Sequence, residues 1–315
     1  MAAKREVEIP FFSKAPFANY DLVVYLGGGL FTVLILWRYI GKPLGIFDFS
    51  DVMAKGAHSW VTDVIYLILL GVCSYVLGHL ISYQSSFFIE GFLQRTLGKF
   101  SEVVEATTVP PQERAGKLRA AIRQNIKANF RFTFRVPRVG IRLPKVPLLF
   151  VVHLPVLPWY SAVTVFGMFN FVDTRLPARM LDKMKERMQQ DFAEFGYQPG
   201  GQWFRWIEYY TAYNRSVSSS SMYNYLVIFG LMRSLSYIFL ICIWLEIANL
   251  IVSPYLPKYQ LSHGPGGLIG TGLYFVVIYV AYITTITSYC KFFRRYIEEA
   301  AMGYLLEGTS GSNAA

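Results

Sequence analysis

The sequence predicts an all-α integral membrane protein. Four transmembrane helices are expected, with a large, basic, mainly helical cytoplasmic insert between the second and third. Three observations carry this. Apolar residues make up 54% of the 315 residues and charged residues only 16%, whereas ordinary soluble domains are about 25% charged. Several uncharged runs reach the roughly 20 residues that a spanning helix needs. The basic residues are also concentrated on one side of those runs: residues 84–222 hold 19 Lys and Arg against 10 Asp and Glu.

The first span is expected over residues 21–41. Only 16 uncharged residues separate Asp21 from Arg38, but Trp37, Arg38 and Tyr39 suit a membrane interface, where an arginine head can snorkel to water. Gly27, Gly28 and Gly29 would weaken a soluble helix; in a bilayer they let a neighbouring helix approach closely. No cleavable signal peptide is expected ahead of this span, because acidic and basic residues are mixed through residues 1–20.

Val64 to Ile89 contains no formal charge and reads as the second span. Ile89, Leu93, Leu97, Phe100 and Val104 then recur at three- and four-residue steps, so the helix is expected to continue past its membrane exit. After the break at VPPQ, Leu118, Ile122 and Ile126 lie four apart among basic residues, giving a basic amphipathic helix. Arg114, Lys117, Arg119, Arg123 and Lys127 are its candidates for anionic lipid headgroups. FRFTFRV at 130–136 alternates with period two and predicts a short strand, limited by Pro137 and Pro144. Residues 176–195 predict a second amphipathic helix, with Met180, Met184, Met188 and Phe192 four apart and Gly196 placed to end it.

Between Lys145 and Asp173 lie 27 residues without a formal charge. A single crossing here would put one of the flanking basic regions on the wrong side, and Pro147, Pro155 and Pro158 oppose a regular helix. A membrane-embedded or re-entrant hairpin at 146–172 is favoured; a core segment of the insert and a fifth crossing remain open.

The third span is expected from about Met222 to Val252. SVSSSS before it reads as a flexible joint whose last serine caps the helix. The fourth is expected from Leu268 to Cys290, ended by KFFRR, with a disordered tail at GTSGSNAA. The resulting order is a cytoplasmic N-terminus (1–20), spans 1 and 2 (21–89), the insert (90–221), spans 3 and 4 (222–290) and a cytoplasmic tail (291–315).

Motifs for enzymes are absent: there is no GxxxxGK[ST], no GxGxxG after a strand, no GxSxG, no HExxH and no CxxC. Cys73, Cys242 and Cys290 read as small buried thiols. No metal or other cofactor is expected. The polar residues placed inside spans are Arg233, Glu246 and His79, with His153 inside the apolar stretch at 146–172. Ionisable groups at membrane depth are costly and face a partner or water. Arg233 and Glu246 are 13 residues apart, about 20 Å along a helix, so they cannot pair with each other. Arg233 is expected to snorkel to the cytoplasmic interface; Glu246 lies nearer the outer face, a partner on another helix or a water-lined path being the alternatives. Each histidine is expected to be one hydrogen-bonded imidazole.

These features favour an oligomeric channel or pore-forming membrane protein in which neutralising Glu246 alters selectivity. An accessory or scaffold subunit of a larger membrane complex is the first alternative, since 25 Phe and 22 Tyr can cover broad protein contacts. A lipid-acting enzyme using His79, Glu90 and His153 is the second, with no spacing that fixes a reaction. The expected partners are anionic lipid and either further copies of the chain or other membrane subunits. No nucleic-acid partner is expected.

Overall fold

The computed structural model describes residues 20–41, 60–97, 133–135, 142–144, 151–159, 178–196, 203–214, 217–252 and 268–311. Helices α1 (Asp21–Tyr39), α2 (Trp60–Gln94), α3 (Ala178–Phe192), α4 (Trp203–Asn214), α5 (Val217–Val252) and α6 (Leu268–Gly311) dominate them. Strands β1 (Thr133–Arg135) and β2 (Arg142–Pro144) form a small antiparallel ribbon with Thr133 opposite Pro144. The strand expected at 130–136 is thus present in its middle, and the proline falls at the ribbon's end, where it interrupts no ladder.

Among the described residues four helices are long and apolar enough to cross a bilayer: Asp21–Tyr39, Trp60–Gln94, Ser221–Ile251 and Ile269–Leu306. α5 is the central one. Phe31 of α1 packs edge-on against its Phe239, and Phe88 of α2 stacks on its Tyr237. α6 lies along it, Phe229 meeting Tyr289 and Phe293. The face that α6 turns inward carries Tyr282, Tyr289, Tyr296 and Tyr304, all buried at seven- and eight-residue steps. That spacing keeps one stripe of a helix against its neighbours over many turns.

α1 and α2 touch backbone to backbone. A methyl group at Gly29 would lie 1.6 Å from the Ser74 carbonyl oxygen, and one at Gly78 would lie 1.8 Å from the Tyr25 carbonyl oxygen. Only glycine permits this approach, and it draws the two spans together without large side chains. The opposite side of α2's first part faces outward: Leu67, Ile68, Val72 and Val76 are exposed.

Four expectations are corrected. α5 begins at Val217, so Ser218–Ser221 lie within its first turns and do not form a joint. Serine hydroxyls can bond within a helix, which makes a serine run compatible with one. α6 does not end at KFFRR; it continues to Gly311, through the first half of the expected tail. Its apolar window, Ile269–Leu306, holds 38 residues, about 57 Å of helix. That is nearly twice the ~30 Å hydrocarbon core, so part of α6 stands outside the bilayer. Cys73 is exposed on the outer face of α2, whereas Cys242 and Cys290 are buried.

α3 and α4 cover the extended end of α6. Met184, Met188 and Phe192 of α3 and Trp203 and Ile207 of α4 join Ala300, Ala301 and Tyr304 in one core. Gly196 has φ of +82° and closes α3 through its N–H to the Ala193 carbonyl at 3.1 Å, as its position suggested. Of the apolar stretch 146–172, residues 151–159 are described and helical. They pack against the spans: Trp244 of α5 donates its indole N–H to the Val152 carbonyl at 2.7 Å.

Candidate functional site

Among the described residues two polar pairs join one candidate span to another, both built on α5. At one, Arg233 donates to Glu90 of α2 at 2.8 Å and reaches the Ser82 hydroxyl at 3.4 Å. Glu90 is held further by Ser86 and Gln94 of its own helix, each at 3.0 Å. Arg233 stands 12 residues inside the window that begins at Ser221, about 18 Å along the helix. The arginine's charge is neutralised in place by a carboxylate from another candidate span. Such pairing is what allows ions to persist away from water.

At the second pair, Tyr39 of α1 donates its hydroxyl to Glu246 at 2.5 Å, and Glu246 is fully buried. Arg38, beside Tyr39, lies with its guanidinium 4.6 Å above the ring of Tyr274 on α6. The partner on another helix, one of the alternatives for Glu246, is Tyr39.

The two partner groups share a local feature. Glu90 closes the π-helical turn Ser86–Glu90, and Tyr39 lies in the π-helical turn Trp37–Gly41. A π-turn adds a residue to the helical circuit and re-aims the side chains that follow, and such turns recur at functional sites. In each pair, an ordinary α-helical residue of α5 meets a side chain delivered by a widened turn.

The histidines have different settings. His79 lies on the exposed side of α2, stacked on Tyr25 at 3.7 Å and edge-on to Tyr75 at 4.6 Å. His153 is fully buried and stacks on Phe92 at 3.9 Å. The trio His79, Glu90 and His153 is therefore distributed over three separate contacts: Tyr25, Arg233 and Phe92. Among the described residues no group of three or more His, Cys, Asp or Glu is placed to hold a metal ion. Arg114, Lys117, Arg119, Arg123 and Lys127 lie outside the described residues.

Sequence reasoning marked Arg233 and Glu246 but missed Tyr39 as a partner and gave Glu90 a different role. The available signal was weak: Tyr39 was read as an interface anchor, and nothing local ties it to a carboxylate 207 residues away.

No protein-family model, curated protein or solved structure matches the chain. The fold is that of a multi-pass integral membrane protein with four candidate spanning helices among the described residues.

Proposed function

We propose that the chain is a channel-forming membrane protein that works as an assembly of several copies. The observation that carries this reading is the Glu90–Arg233 pair, held at 2.8 Å within the spanning windows. A charge pair at that depth gives little net stability compared with apolar side chains of similar size, and ionisable residues inside spans mark paths for ions. The second pair, Tyr39–Glu246, extends the polar residues of α5 toward its other end. The uncovered apolar face of α2 suits lipid or a neighbouring copy.

In this reading both termini and the basic insert face the cytoplasm, where positive residues concentrate. Anionic lipid contacts the insert's basic helix. The accessory-subunit reading has one observation in its favour: Tyr75, His79 and Tyr83 are exposed on the same span, a surface more polar than lipid requires.

The test joins two measurements on full-length protein. Native mass spectrometry of the mildly extracted complex gives one homo-oligomer of four or more chains, and reconstituted liposomes conduct ions. Co-purified foreign chains with no flux would favour the accessory subunit. A lone monomer without flux would overturn the assembly.

A further inference from the structure

The residues that α2 buries in its long first part are Ser74, Gly78, Ile81, Ser82 and Ser85. Apart from Ile81, the inward face of a spanning helix is thus made of serine and glycine. α1 meets it with Gly28, Gly29 and Thr32. The glycines explain the close approach. The serines call for a separate account.

Most of the hydroxyls are satisfied. Thr32 donates to the Gly28 carbonyl at 2.9 Å and Ser85 to the Ser82 carbonyl at 2.8 Å, while Ser82 meets Arg233. Ser74 and Ser234 are different. Both are fully buried, and neither hydroxyl has a hydrogen-bond partner among the described residues. The buried Nε of Arg233 is in the same position. The two serines sit at one turn of α1: a methyl at Gly28 would lie 3.9 Å from the Ser234 Cβ, and Gly29 abuts Ser74. A serine in a spanning helix can bond the carbonyl one turn back. Two that do not, both facing α1, leave donors and acceptors that a buried water satisfies.

We infer that α1, α2 and α5 enclose a file of water running from Ser74 and Ser234 to Glu90, and that the species moved along it is a proton. The inference rests on the channel reading and names what is conducted. Width decides against larger species. Helices in backbone contact at Gly29 and Gly78 leave no room for a hydrated metal ion or halide, and neutral hydroxyls are a poor substitute for a hydration shell. A proton needs only a chain of oxygens: at each step one O–H bond forms and another breaks, and the oxygens stay in place. In this inference Glu90 stands at the mouth of the file, paired with Arg233 from α5, with Ser86 and Gln94 beside it. It accepts a proton from water on its side and releases it to water in the seam. The closed point of the file is assigned to Ile238, one turn beyond Ser234 on α5 and buried.

The test uses full-length protein in sealed liposomes, with an internal pH dye and parallel sodium, potassium and chloride flux assays. The inference expects proton flux in the wild type and at least a tenfold loss in Ser74→Ala/Ser234→Ala, with the thermal transition retained. Flux of sodium, potassium or chloride without proton flux would overturn the proton assignment and leave the channel reading standing. Proton flux unchanged in the folded double variant would overturn the seam as its path. No flux of any of the four would overturn both. Should the serine variant fail to fold, the wild-type selectivity still decides the species, and Ile238→Ala, which opens the plug, must raise proton flux; an unchanged rate would remove the seam.

Discussion

Arg233 of α5 and Glu90 of α2 form an ion pair at 2.8 Å, with 12% and 24% of their side chains exposed. Each charge is tolerable because the other is there. Removing one leaves an ion in a medium that cannot solvate it, which typically costs several kcal/mol, whereas replacing both with apolar groups of like volume is close to neutral. Arg233→Met is therefore expected to lower stability by about 3 kcal/mol. Arg233→Met/Glu90→Leu is expected to recover most of that loss while abolishing ion flux. Thermal unfolding in detergent checks the first statement and liposome flux the second. A double variant no more stable than the single would show that the pair is held by its surroundings and not by mutual neutralisation.

Backbone contact between α1 and α2 gives a sharper contrast. Alanine at Gly29 or Gly78 would place its methyl within 2 Å of a carbonyl oxygen, and the two spans must separate to admit it. Overpacking of this kind costs about 1–3 kcal/mol. Gly71 and Gly272 have nothing within 4 Å of the position a methyl would take. Gly71→Ala and Gly272→Ala are therefore expected to be neutral or slightly stabilising, since alanine favours a helix. Parallel melting of the four variants tests the packing directly. Equal melting temperatures across the set would mean that α1 and α2 are not in backbone contact.

The spans were legible because a bilayer imposes length and apolarity on any helix that crosses it. Arg233 and Glu246 stood out for the same reason. Their partners did not, because Glu90 and Tyr39 lie 143 and 207 residues away in sequence and no local pattern joins them. The end of α6 was misread because KFFRR was taken as a stop. A membrane sets where the apolar stretch must lie, not where the helix ends. Beyond the basic cluster, Ile297, Ala300, Ala301 and Tyr304 recur at helical spacing, and that signal was available. The SVSSSS run misled in the opposite sense: serine is a good cap, but it also fits inside a helix when its hydroxyl bonds the backbone. The methionine helix was read correctly as amphipathic. That its apolar face covers α6 could not be inferred without knowing that α6 runs so far.

The cover on α6 is fastened by two tyrosines of the same buried stripe. Tyr296 donates to Glu208 of α4 at 2.5 Å, and Tyr304 donates to Asp191 of α3 at 2.8 Å. Arg187 of α3 adds a hydrogen bond to the Tyr304 carbonyl and stacks 4.5 Å above its ring. A hydrogen bond to a charged group contributes about 1.5–3 kcal/mol. Tyr304→Phe is expected to loosen α3 by that order while leaving the spans intact. Hydrogen exchange should rise at residues 178–192 and stay unchanged at 221–251. Equal acceleration in both regions would instead make the cover and the membrane bundle one cooperative unit.

The remaining prediction concerns the proline-bearing stretch at 151–159. Trp244 donates to the Val152 carbonyl at 2.7 Å, His153 lies flat on Phe92, and Val156 is fully buried. Backbone at membrane depth is tolerated away from a regular spanning helix only when protein or a water-filled cavity covers it, and Trp244, in the last third of α5, supplies one protein contact to this segment. Trp244→Phe keeps the ring packing and deletes the donor, at an expected cost of about 1–3 kcal/mol for the carbonyl left unsatisfied. Val151, which is exposed, offers the reporter. In a Val151→Cys protein made after removal of the native cysteines, labelling by a membrane-impermeant thiol reagent should be slow and should accelerate when Trp244→Phe is added. Fast labelling from both sides of the bilayer before that change would place the segment in water and remove it from the membrane-facing bundle.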